Sequence, residues 1–171
     1  AGSWPEWRVA ADTETARAGL DAYDLTAYAH PGCEERPRVD RWSGAAYLGI
    51  GVGAASFMLG QRSMRTASVD DYCGRIETCV SPVTEIEALE GRDALRERVF
   101  VGLHLRNGLR WPVDDVPPAD LAALQAELTD VAREGWVEFE AGRVRLTARG
   151  WRDPDRAMAR VLAAGSERET S

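Results

Sequence analysis

The sequence predicts an α+β fold in which alternating helices and strands lead into a small C-terminal unit of winged-helix type. Three observations carry that reading. Ala-rich helix-compatible sequence gives way to strand-like alternation in the first 60 or so residues. The order helix, helix, hairpin, helix is legible between residues 93 and 164. A composition of 44% hydrophobic and 29% charged residues over 171 positions is that of a globular chain large enough for one domain or two small ones.

Taken in order, Asp12 to Leu20 is helix-compatible. Tyr23-Asp24-Leu25-Thr26-Ala27-Tyr28 alternates as a short strand, ended by Pro31-Gly32. The charged stretch from Cys33 to Arg41, with Pro37 inside it, predicts an exposed loop closed by Trp42. Tyr47 to Phe57 is an apolar run in which glycine alternates with larger residues. Glycine inside a strand marks a close approach of backbone to a ligand or another segment. After a polar connector, Val69, Tyr72, Ile76 and Cys79 fall at helical spacing between Ser68 and Thr78, and Ser81-Pro82 stops that helix.

The second half is more regular. Asp93 to Leu105 predicts a helix ended by Asn107-Gly108, and Trp111 to Pro118 a proline-rich connector. From Pro118 a further helix carries Leu121, Leu124, Leu128 and Val131 on one stripe and ends at Glu134-Gly135. Trp136 to Phe139 and Val144 to Thr147 alternate as the strands of a hairpin. Thr147 caps a last helix that buries Trp151, Ala157, Met158, Val161 and Leu162, and the polar tail from Gly165 is expected to be disordered.

Several chemistries are excluded. No run of about 18 apolar residues offers a membrane span, and the N-terminal residues lack a signal-peptide pattern, so a cytoplasmic location is expected. The net charge of -7 opposes broad capture of nucleic acid. Every cationic side chain is arginine, which reads as codon bias. The three cysteines Cys33, Cys73 and Cys79 lack CxxC or CxxxCxxC spacing, and the two histidines His30 and His104 stand apart from any second metal-type ligand. GxSxG is absent, and the GIGVGA run lacks the third glycine of a dinucleotide fingerprint. No catalytic residue and no metal ligand is therefore assigned.

Three stretches carry a resemblance. Tyr23 to Gly32 resembles Y-E-x-S-x-[FY]-A-[RK]-P-G, and Trp42 followed by Tyr47 to Ser56 resembles W-x4-Y-L-G-x-G-x-G-A-x-S. Gly102-Leu103-His104, Glu134-Gly135 and Arg145-Leu146-Thr147-Ala148-Arg149-Gly150 resemble G-L-R, x-G-[LW] and [RK]-L-T-x-x-G. These are segments of the oxygen-independent coproporphyrinogen III oxidase family of radical S-adenosylmethionine (SAM) proteins, and the chain is most similar to the haem-chaperone-like branch. The likeness runs from about Leu20 to about Leu162, a C-terminal portion of a family member.

In that family an incomplete α/β barrel holds a [4Fe-4S] cluster through CxxxCxxC, leaving one iron open to SAM. The resemblance implies that residues 1–60 are the terminal strands and helices of such a barrel. Residues 61–92 would be a connecting helix and linker, 93–164 the accessory domain, and 165–171 a tail. It places Gly53, Ala54 and Ala55 on the SAM-facing edge. With no CxxxCxxC, and Ala1 in place of Met, the chain reads as a C-terminal fragment without catalysis of its own, SAM and cluster belonging to a full-length parent.

That parent would act in radical oxidative decarboxylation of porphyrinogen or in haem binding and delivery, with a tetrapyrrole or haem-accepting protein as partner. The chaperone branch carries H-N-x-x-Y-W before the glycine run; here Pro37-Arg38-Val39-Asp40-Arg41-Trp42 keeps only the tryptophan, so the haem-ligating histidine is replaced. His30 and His104 stand where the family has basic residues. The alternative is an interaction or nucleic-acid module without catalysis, its basic face formed by Arg149, Arg152, Arg156 and Arg160 with Arg143 and Arg145.

Overall fold

A computed structural model describes residues 4–166 apart from Asp115. Helix α1 (Trp4–Arg17) is followed by β1 (Asp21–Asp24), β2 (Ala27–Ala29), α2 (Arg36–Trp42), β3 (Ala55–Met58), β4 (Gln61–Arg65), α3 (Val69–Glu77) and β5 (Val83–Ala88). The second half comprises α4 (Gly91–Gly102), β6 (Leu109–Arg110), α5 (Pro118–Arg133), β7 (Val137–Glu140), β8 (Arg143–Leu146), α6 (Ala148–Arg152) and α7 (Pro154–Ser166). The α+β class expected from the sequence holds. Three small sheets, ordered β1-β2, β3-β4-β5 and β6-β8-β7, are antiparallel throughout, including the pairs within the first 60 residues.

The N-terminal half departs from expectation in four places. Helix α1 begins at Trp4, eight residues before the helix-compatible stretch that starts at Asp12. Tyr23 to Tyr28 is a hairpin rather than one strand, because Asp24 Oδ1 accepts from the Thr26 backbone N–H at 2.7 Å and turns the chain at Leu25-Thr26. The expected loop from Cys33 to Arg41 contains α2: Pro37 falls in the first helical turn, where a missing N–H costs nothing. The glycine run is a loop, held to the sheet by a bridge from Tyr47 to Phe57 and by backbone hydrogen bonds at Gly53 and Ala54, and only its last residues enter β3.

The stretch 61–92, expected to be a helix and linker, also supplies β4 and β5, so one sheet spans the boundary at residue 60. Helix α3 lies where its spacing placed it, with Ser68 Oγ accepting from Asp71 N–H.

From α4 onward the elements follow the predicted order closely, with two refinements. The expected last helix is two: Asp153 precedes Pro154 and leaves the helical region at φ -131°, ψ 68°, as residues before proline do. Only α5 stands between β6 and the β7-β8 hairpin, so the second helix of a helix-turn-helix is not formed there, and the winged-helix alternative gains no support. Of the expected tail, α7 takes in Ser166, and 167–171 lie outside the described residues.

The hydrophobic core is concentrated in this second half. Val99, Leu103, Leu128, Val131, Val137 and Val144 are essentially inaccessible, and Trp136, Trp151, Ala157 and Met158 complete the cluster. Leu25 is the one residue before Leu95 that joins it. Two carboxylates are drawn in with it. Glu127 on α5 is 3% exposed and receives a two-pronged bond from Arg96 on α4, at 3.2 and 3.0 Å. Asp24, 1% exposed, belongs to the site below.

Candidate functional site

The three sequence signatures converge on one polar node. The Asp24 carboxylate accepts hydrogen bonds from the Arg38 guanidinium, from Trp42 Nε1 at 3.2 Å, and from the Thr26 N–H and hydroxyl. Trp42, the tryptophan of the second signature, stacks on His104 of the third with ring centroids 4.3 Å apart and planes 3° from parallel. His104 meets Phe100 edge-on, and its Nδ1 lies 3.1 Å from the carbonyls of Phe100 and Val101. Its own carbonyl accepts from Leu25 N–H at 2.9 Å, and Arg106 N–H donates to Tyr23 O at 2.9 Å. These contacts stitch the hairpin to the end of α4.

Burial alone would push the Asp24 carboxyl up, but the hydrogen bonds and charge of Arg38, with the bonds from Thr26, outweigh it and hold the pKa below the ordinary carboxylate value. A carboxylate so fully used is a fastening rather than a proton donor. His104 is likewise structural, and His30, whose Nδ1 lies 2.9 Å from Gly19 O, ties β2 to the end of α1.

Gly53, Ala54 and Ala55 lie where the loop enters the β3-β4-β5 sheet. Gly53 N–H donates to Thr66 O at 2.8 Å, Ala54 O accepts from Arg65 N–H at 3.1 Å, and Ala55 pairs with Met64 in β3. Gly49 is fixed by crowding: a Cβ there would sit 2.0 Å from Ala55 O. Gly51 and Gly53 adopt φ of 106° and 66°, with open space around the first and only Ala67 Cα, at 3.9 Å, beside the second. The loop is thus anchored at Gly49 and approachable at Gly51 and Gly53.

The residues present do not fit an iron–sulfur cluster. Cys33, Cys73 and Cys79 are free and exposed, on a loop, on α3 and just beyond it, and among the described residues no group of three His, Cys, Asp or Glu could hold a metal ion. The segment aligned with the haem-ligating pattern is helix α2, and its Arg38 is committed to Asp24. No helix of the described residues is long and apolar enough to cross a membrane.

The expected basic face is largely spent within the domain. Arg149 and Arg156 lie over the Trp136 ring at 3.8 and 5.4 Å, Arg160 pairs with Glu134, and Arg145 pairs with Glu138 and Glu140. Arginines that already cover tryptophan and carboxylates make a poor phosphate-binding stripe.

Sequence reasoning missed two features. Arg8 is 5% exposed, donates to Leu25 O and lies against Trp151, whose ring Arg106 also covers; both guanidinium carbons are 4.6 Å from the ring centroid. No local pattern signals a contact spanning more than 140 residues. The second is an uncovered apolar surface. Leu48, Ile50, Val52, Met58, Leu59, Met64, Val69, Ile76, Val80 and Ile86 are all exposed, Ile50 at 84% and Leu59 at 97%, while among the described residues after α4 Leu162 is the single exposed large apolar one.

Comparison with known proteins places this architecture. The family model for the HemN C-terminal domain matches residues 89–152, the segment that holds nearly all of the core. The chain belongs to the oxygen-independent coproporphyrinogen III oxidase and haem chaperone family, the HemN/HemW-like proteins, whose C-terminal region it matches. Among curated relatives it is 30% identical over 129 residues to the haem chaperone HemW of Synechocystis sp., covering 72% of this chain and 31% of that protein. To HemW of Mycobacterium tuberculosis it is 30% identical over 141 residues, covering 81% and 34%. The chain thus spans about a third of the length of these relatives. Coproporphyrinogen III oxidase HemN from Escherichia coli, a radical SAM enzyme, has the same fold over 90% of this chain and 39% of its own, with a TM-score of 0.66 at 18% identity.

Proposed function

We propose that this chain serves as the non-catalytic C-terminal part of a HemW-like haem chaperone, covering a SAM- and cluster-binding barrel that its own residues do not form. The observation that carries the reading is the uncovered apolar surface of the glycine loop, the β3-β4-β5 sheet and α3. Large apolar side chains left exposed throughout one part of a chain mark a place where another folded body packs. Similarity to HemW over four-fifths of the chain supports a barrel as that body. In this reading Gly53, Ala54 and Ala55 lie along the SAM-facing edge, supported by the open approach to the Gly53 backbone. The haem or tetrapyrrole and the accepting protein are handled by the assembled parent, in the cytoplasm. Oxidative decarboxylation of porphyrinogen is the second family activity, and the HemW likeness favours the chaperone role over it.

The test is association in trans. The chain is mixed anaerobically with the separately produced N-terminal two-thirds of the Synechocystis HemW and examined by sedimentation. A one-to-one complex, weakened roughly tenfold or more by Leu59→Ser combined with Ile86→Ser, is expected. No complex, or a complex indifferent to both substitutions, would overturn the reading.

A further inference from the structure

Two adjoining cavities of about 400 and 420 Å³ lie between α1 and the β1-β2 hairpin on one side and the start of α6 on the other. They share Asp12, Ala16, Arg106 and Trp151, so they form one groove with two ends. The volumes lie within the range of roughly 300–1,000 Å³ in which proteins hold small molecules. Neither end touches the glycine loop or the apolar sheet.

The charges in the groove are unevenly committed. Asp12 is already balanced, with Arg8 Nε at 3.3 Å from its Oδ1 and the Tyr28 hydroxyl donating to the same oxygen at 2.7 Å. Burial and that hydrogen bond hold the Tyr28 phenol above its usual pKa, so it stays a donor to Asp12. Among the described residues Arg106 has Trp151 for a partner but no carboxylate, and Arg152, which lines the first cavity beside it, has none either. Buried Arg8 behind them leaves its Nη2 without a hydrogen-bond acceptor. The first cavity therefore carries uncompensated guanidinium charge, from Arg152 and from Arg106 on the shared wall. The other is lined by Asp21, Tyr23 and Glu34.

We propose that this groove binds a small zwitterionic molecule, its carboxylate held by Arg106 and Arg152 and its ammonium turned toward Asp21 and Glu34. Paired guanidinium forks match a carboxylate in charge and geometry. The acidic far end selects against a molecule that is anionic throughout and favours one with opposite charges separated along its length. The packed wall between them is Trp151, whose ring already carries the Arg8 and Arg106 guanidiniums, so the ligand lies along the groove rather than stacking on the indole.

The 171-residue chain is labelled with nitrogen-15 and titrated with 6-aminohexanoate, hexanoate and inorganic phosphate, following the assigned indole N–H of Trp151 and the amide of Arg152. Saturable shifts at both, tightest for 6-aminohexanoate, are expected. Arg152→Gln, which removes a side chain with no hydrogen-bond or ion-pair partner among the described residues, is expected to weaken binding about tenfold while leaving the unfolding midpoint in place. Arg106→Gln is expected to weaken it similarly, and Arg110→Gln, on the far strand β6, to leave it unchanged. Equal binding of hexanoate, preferential binding of phosphate, shifts insensitive to Arg152→Gln, or no saturable shift would each overturn the proposal.

Discussion

A single carboxylate organises the segment that meets the end of α4. Asp24 holds the turn of the first hairpin, the α2 arginine and the Trp42 indole together, and Trp42 in turn rests on His104. Replacing it as Asp24→Asn is expected to cost about 2 kcal/mol, somewhat less than breaking a wholly buried pair because Arg38 remains partly solvated. The sign of the pH effect follows from the direction of its pKa. The folded value lies below the unfolded one, near 3.9, so the stabilisation is complete at neutral pH and is lost as pH falls through the folded value. Urea unfolding between pH 7 and pH 3 is expected to show that loss in the parent chain and a smaller one in the Asp24→Asn chain. The sequence made Asp24 visible as part of a signature but gave no sign of its partners. Arg38 sits 14 positions away and Trp42 18, in a segment whose charge reads as a loop. The same limit applies to Gly108, legible as a helix stop, whose Cβ position lies 2.0 Å from Val144 O.

Elements whose apolar residues reach the core were the legible ones. Helix α5 carries its stripe into the buried cluster, and the β7-β8 hairpin alternates against it with Val137 and Val144 inward. Elements that bury nothing were mostly not: α2 contains no buried residue and β5 exposes all but its first, whereas α3, which buries none either, was marked by its spacing. Periodicity reports burial, so a strand on an uncovered sheet leaves little trace of itself. Caps are the exception, because their chemistry is local. Thr147 Oγ1 accepts from Gly150 N–H at 3.1 Å and donates to Gly135 O at 2.6 Å, closing α6 onto the end of α5. Thr147→Ala is expected to lower stability by about 1–2 kcal/mol, and Thr147→Ser to recover most of it, as measured by thermal unfolding.

Across the molecule, packing is lopsided. Nearly the whole buried cluster comes from Leu95 to Met158; among the described residues before it Leu25 joins the cluster, and Arg8, Asp24, Ser56 and Thr66 are buried apart from it as polar residues. Local stability is expected to follow. In hydrogen exchange, amides of α4, α5, β7 and β8 should open only near the global unfolding free energy, while β3, β4, β5 and α3 exchange at least about a hundredfold faster, a difference of roughly 3 kcal/mol. Equal protection in both halves would count against an uncovered sheet. Binding of a barrel partner is expected to slow exchange in the β3-β4-β5 sheet first.

The Leu25 contact has a consequence for how the chain is made. A ribosome releases α1, the first hairpin and α2 before it has polymerised His104, whose carbonyl receives the Leu25 N–H and whose ring supports Trp42. The N-terminal elements must therefore wait, with their apolar side chains in water, until some 80 further residues have emerged, counted from Leu25 to His104. The interval is several seconds at about 5–20 residues per second. Through that delay the exposed loop and sheet are open to chaperones, or to whatever folded body reaches them first.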